Sequence, residues 1–96
     1  MIRYHPVPAA VAAMHGISVA ALLAQSRRQE VVEARCVAVW VLYQQGFGWS
    51  AIGRLLQRDH STIAHAWRMV EGNPQLKDHA CACQSELLRL AKEAIA

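Results

Sequence analysis

The sequence predicts an all-α fold, a small bundle of about six helices. Three observations lead there. Apolar residues recur at three- and four-residue spacings, as in Ile63, Ala66, Trp67 and Val70, or Leu76, Ala80, Cys83 and Leu87. Capping and breaking residues (Gly16 before Ser18, the Gly46-Phe47-Gly48 break, Asp59, Asn73 before Pro74) cut the chain into pieces of helical length. The one stretch that periodicity alone would allow as a buried strand, Cys36 to Tyr43, has no second strand to pair with.

Taken in order, Pro8 occupies the first turn of a helix that runs to about His15 and stops at Gly16. Ser18 caps a second, Val19 to Ala24, with Val19, Leu22 and Leu23 on one side. This pair reads as a brace for the core. Ser26-Arg27-Arg28-Gln29-Glu30 is a basic loop, and adjacent arginines ahead of a helix are usually a solvated surface. Val31 to Gln45 is a helix apolar nearly all round, a central rod with Trp40 and Tyr43 in the core and the charge of Arg35 in its first turns. Trp49 to Leu56 is a short helix with Ser50 as its cap. Asp59 caps the next, its carboxylate placed to accept from backbone N–H groups that otherwise lack partners. Asn73 and Pro74 open a C-terminal helix whose stripe of Leu76, His79/Ala80, Cys83, Leu87, Leu90/Ala91 and Ala94 packs across the bundle. The other reading of that helix leaves it partly free to pair with a second copy or a protein partner.

Size and composition narrow the functional classes. Ninety-six residues suit a single domain, residues 1–96, with a modest core that needs no staples. Ten basic against seven acidic residues give a formal charge of +3, which agrees with nucleic-acid binding without arguing for it alone. Three cysteines, an odd number, point to a reducing compartment rather than a disulfide frame. The Ala-rich run from Val7 to Leu23 is interrupted by His15, Gly16 and Ser18 and has only Arg3 as a positive region. It reads neither as an export signal nor as a membrane span, and a cytoplasmic protein without a membrane partner is expected. No Gly-rich phosphate loop with a following Lys is present, so no nucleotide is expected.

The helices on either side of Gln57 and Arg58 are only a few residues apart. That is the plan of a helix-turn-helix, whose second helix enters the DNA major groove. The outward face of this second helix carries His60, Ser61, Ala64, His65 and Arg68, short, polar and net positive, and it begins at a helix N-terminus that favours anions. The run Arg58-Asp59-His60-Ser61-Thr62-Ile63-Ala64-His65-Ala66 resembles the "RDHSTVxHA" signature of the C-terminal DNA-binding domain of DnaA, the bacterial replication initiator. The resemblance extends to Ile52-Gly53-Arg54-Leu55, to Ala34-Arg35-Cys36-Val37-Ala38-Val39 (similar to the family's "ARQVAM") and to the basic loop. It covers roughly residues 7–72 and leaves 73–96 as the C-terminal helix. It implies a Trp-repressor-like helix-turn-helix fold, double-stranded DNA as partner, and a role in replication-origin or transcription control.

Contacts can be assigned residue by residue. Asp59 caps the reading helix or accepts from a cytosine amino group, His60 donates to guanine N7 or O6, and Ser61 and Thr62 reach a base edge or a thymine methyl. Arg58, His65 and Arg68 are placed for phosphates, which set register rather than sequence, and Arg28 and Ser50 are assigned there with them. From the resemblance, Arg27 matches an arginine that enters the minor groove, where a guanidinium is drawn to the negative potential of a narrow A·T-rich groove. Arg35 likewise matches a residue that contacts phosphate. The chain departs from the family at Cys36, where Gln is frequent, at Met69, where Lys is frequent, and at the turn, where Gln57 stands for a Gly pair. Losing a residue there is one way to rotate or shift the reading helix and change the DNA site.

Other chemistry finds less support. His60 and His65 lie about 140° apart around a helix and do not converge. His79-Ala80-Cys81-Ala82-Cys83 puts His79 and Cys83 on one helical face. Zinc takes about four ligands, and no second cluster stands ready in the sequence to complete the set. The pattern reads as a surface histidine with two small helix-packing cysteines, and no metal or cofactor is expected. No nucleophile–base pair, carboxylate pair or cofactor loop marks an enzyme. The rival reading is a protein-interaction module that keeps the fold but binds DNA weakly or without specificity.

Overall fold

Helix α3 (Gln29–Gln44) lies at the centre because Cys36 to Leu42 is apolar without a break, and every one of those residues is buried. As a helix this run satisfies its own backbone groups and presents apolar side chains in all directions. Around it pack α1 (Pro6–Met14), α2 (Val19–Leu23), α4 (Trp49–Leu56), α5 (His60–Glu71) and α6 (Pro74–Ile95), each in contact with α3. The computed structural model describes residues 6–95, with side chains through Glu93, so Arg3 and the Ala94 side chain fall outside it. Six helices and no strand are found among the described residues, the all-α bundle that the spacing predicts.

Local chemistry explains most of the boundaries. Ser18 Oγ accepts from the Ala21 N–H at 3.0 Å and starts α2, and Asn73 Oδ1 accepts from the Leu76 N–H at 3.1 Å and starts α6. Gly16 (φ +69°) and Gly46 (φ +96°) take the left-handed turns that follow α1 and α3. Four expectations are corrected. Helix α3 begins at Gln29, so Gln29 and Glu30 belong to the helix, where the Glu30 carboxylate sits in a first turn that favours negative charge. Helix α4 starts after Gly48, and Ser50 is an exposed residue inside its first turn rather than the cap. Asp59 holds the cap position of α5 with extended backbone, but its side chain makes no capping bond. Tyr43 is 39% exposed, because the last turn of α3 runs past the core. Its ring stacks on Trp49 with centroids 4.4 Å apart, and Trp67 closes the cluster at 5.4 Å from Tyr43.

A polar tie joins three helices. Trp40 Nε1, from the core of α3, donates to Glu71 Oε2 at 2.8 Å, and Lys77 Nζ of α6 donates to Glu71 Oε1 at 3.0 Å. The indole N–H, then the Lys77 ammonium, holds the Glu71 carboxyl below its ordinary range. Helix α6 uses its stripe only in part. Ala80 and Cys83 are buried and Leu76 and Leu87 pack at the edge, while Leu88 and Leu90 face solvent.

Candidate nucleic-acid interface

The angle between α4 and α5 is set by a turn only three residues long, Gln57 to Asp59. Gln57 ends α4 in the left-handed conformation (φ 57°, ψ 46°), the one non-glycine residue with positive φ among those described. The Arg58 N–H then reaches back to the Gly53 carbonyl at 2.8 Å. This folds the turn onto α4 so closely that a Cβ on Gly53 would lie 2.5 Å from the Arg58 carbonyl oxygen. Ile52, Leu56, Ile63 and Val70 bury the inner faces of the two helices. The motif is therefore rigid where it meets the core.

Packing Ile63, Ala66 and Val70 inward turns His60, Ser61, Thr62, His65 and Arg68 outward, and all five are exposed. At the start of α5, Ser61 Oγ donates to Asp59 Oδ2 at 2.6 Å, and His60 Nδ1 lies 3.5 Å from Asp59 Oδ1. The Ser61 hydroxyl, with His60 beside it, lowers the Asp59 pKa. Asp59 thus organises the side chains next to it, and its carboxylate faces out with them. Among the described residues, the side chains of Arg27, Arg54, His65 and Arg68 make no hydrogen bond or ion pair, so their charged or polar heads are available.

The end of α2, just ahead of the basic loop, is held by two arginines, Arg35 from α3 and Arg58 from the turn. Helix α2 ends at Leu23 and leaves carbonyls without helical partners. Arg35 Nε and Nη2 donate to the Leu22 and Ala24 carbonyls at 3.1 and 2.7 Å. Arg58 Nη1 donates to Leu23 O at 3.0 Å and to Gln57 O at 3.1 Å, and its Nη2 donates to Ala24 O. Partial burial, then the neighbouring Arg58 charge, lowers the Arg35 pKa. Beside this lock lies an open hollow of about 450 Å³, lined by Ser26, Arg27, Arg35, Gln57, Arg58, Asp59 and Thr62 among others. The loop, the start of the rod and the start of the reading helix therefore share one positively charged surface. Arg28 is engaged elsewhere, its guanidinium paired with Glu30 Oε1 at 2.6 Å on the surface.

The sequence matches the family described as bacterial DnaA protein helix-turn-helix over residues 6–70, more than half of the chain. The chain belongs to that family. No curated protein matches it. In this DnaA-type domain the sequence-assigned residues fall into three groups. Asp59, His60, Ser61 and Thr62 cluster at the start of α5, with His65 and Arg68 one and two turns further on. Arg27, Arg35 and Arg58 meet at the hollow. Ser50 and Arg28 are exposed but line no part of the hollow. Cys36, where the family often carries Gln, is buried in the core, and burial pushes its thiol pKa up. Two residues escaped the sequence reading. Arg54 is exposed on α4 one turn after Ser50, a position its four-residue spacing would have revealed. His15 lies 2.8 Å from His79 across 64 residues of chain, and nothing local announces that meeting. No described helix is long and apolar enough to cross a membrane.

Proposed function

We propose that this domain binds double-stranded DNA with sequence specificity and serves in replication-origin or transcription control. The observation that carries the reading is the shared surface at the hollow, which joins a loop arginine to the start of the reading helix. With α5 in a major groove, His60 donates to a purine acceptor, Asp59 accepts from a cytosine amino group, and Ser61 and Thr62 meet neighbouring base edges. Arg27 extends into the adjacent minor groove. Arg28, Ser50, His65 and Arg68 hold phosphates, as do the N–H groups of Arg35 and Arg58 not spent on α2, and Arg54 joins them. The domain has no enzymatic role in this reading.

A random-pool selection of bound duplexes, followed by titration of the winner at about 50 and 200 mM salt, tests the reading. A defined motif with steep salt dependence is expected. Absence of enrichment, with weak binding lost at the higher salt, would reduce the domain to non-specific charge attraction and favour the protein-interaction reading.

A further inference from the structure

The end of α1 and the first half of α6 bring three metal-ligating groups together. His79 and Cys83 are four residues apart on α6 and share one face. His15, in the turn that follows α1, meets them from a distant part of the chain. The two Nε2 atoms lie 2.8 Å apart, Cys83 Sγ lies 3.8 Å from His79 Nε2, and all three atoms fall within 4.8 Å of one another. The imidazole rings stand edge-on at 89°.

We propose that His15 Nε2, His79 Nε2 and Cys83 Sγ form a zinc(II) site that clamps the end of α1 to α6. Tetrahedral zinc, with bonds near 2.0–2.1 Å to nitrogen and 2.3 Å to sulfur, holds its nitrogens about 3.3 Å apart and its N–S pairs about 3.6 Å apart. The three groups reach those separations by opening the two rings slightly and drawing the sulfur inward. The second shell is already in place on one side. His15 Nδ1 lies 2.8 Å from the Val11 carbonyl and donates to it, which fixes the tautomer whose Nε2 lone pair faces His79. In the metal-free chain the His79 Nε2–H donates to the His15 Nε2 lone pair. On binding, His79 exchanges to its Nδ1–H tautomer through solvent, so that both Nε2 lone pairs face the ion, and the Cys83 thiol loses its proton to solvent. Zinc neither oxidises nor reduces the thiolate. Burial grades from the buried Cys83 to the half-buried His15 and the exposed His79, which gives the ion a path from solvent and leaves a fourth position for water. No other described group of three potential ligands converges in this way.

The test uses the reduced, chelator-treated 96-residue protein. Zinc(II) titration should show uptake of one ion per chain and a melting temperature that rises with free zinc. Cobalt(II) as a probe should give a thiolate-to-metal charge-transfer band and the intense visible bands of a tetrahedral site. His79→Gln should weaken zinc binding at least about 100-fold, since even second-shell losses reach that range, and its metal-free melt, recorded in parallel, separates the loss of the His79–His15 contact from the loss of metal. His15→Gln should weaken zinc binding likewise, and Cys81→Ser should leave the cobalt spectrum intact. Absence of the charge-transfer band overturns the proposal, and so does uptake undiminished in both histidine variants. Half-stoichiometric uptake accompanied by dimerisation would overturn the clamp within one chain.

Discussion

Two residues, Gln57 and Gly53, set how α5 sits on α4. Gln57 adopts a left-handed conformation that costs an ordinary side chain about 1–2 kcal/mol, partly offset by the greater freedom glycine has to lose. Gln57→Gly should therefore stabilise the domain by roughly 0.5–1 kcal/mol in chemical denaturation, with DNA specificity retained. Gly53→Ala should do the opposite. Its methyl meets a backbone carbonyl that cannot move aside, and a loss of about 1–3 kcal/mol is expected together with an altered DNA preference. On the outward face, Arg27→Ala should weaken binding, lower the salt slope by about one and relax A·T preference next to the site. His60→Ala should cost roughly 1–3 kcal/mol on the selected duplex and little on random DNA. Equal affinity of both variants and the parent for the selected site, measured by titration, would remove these contacts from the assignment.

Among the elements, α2 shows how a short helix is held. Five residues form almost no internal ladder, and its last carbonyls are taken by Arg35 from α3 and Arg58 from the turn. The proposed function gives each of these arginines a second duty at phosphate, and mutation should separate the two. Arg35→Ala and Arg58→Ala should each lower stability by about 1–3 kcal/mol and also weaken DNA binding, whereas Arg68→Ala should weaken binding alone. Thermal melts beside binding curves distinguish the classes; a normal melt for Arg58→Ala would show that the α2 lock is idle. The lock on α2 was not legible in the sequence, because carbonyl partners 11 to 35 residues away leave no local pattern. The periodic helices, the caps at Ser18 and Asn73 and the cluster on α5 were legible, since each depends on residues within a turn or two of one another. Ser50 misled as a cap, and Asp59 holds the cap position without the expected side-chain bond, because competing choices exist nearby. Gly48 already offers the extended backbone that α4 needs, and the Ser61 hydroxyl captures the Asp59 carboxylate.

For the whole molecule, stability should depend on pH through the tie at Glu71. The folded carboxyl titrates below its ordinary value of 4.5, so its stabilising contribution is fully present above that value. It is lost as pH falls through the lowered folded value. Glu71→Gln should therefore melt lower than the parent near neutrality, and the gap between the two should close on the acid side. A gap that stayed constant from pH 7 down to about 3 would show that the charge on Glu71 contributes nothing. The tie also explains how α6, whose outer turns leave Leu88 and Leu90 in solvent, is anchored at its beginning.

The aromatic residues give the molecule an optical division of labour. Trp49 and Trp67 lie with centroids 5.8 Å apart beside Tyr43, where the ends of α3 and α5 meet the start of α4, while Trp40 is buried in the rod and bonded to a carboxylate. Emission from the first pair responds to whether the reading motif is seated on the rod, and emission from Trp40 responds to whether the tie to α6 is closed. Single-tryptophan variants would thus let one chain report separately on the two halves of its own assembly, and show which half lets go first.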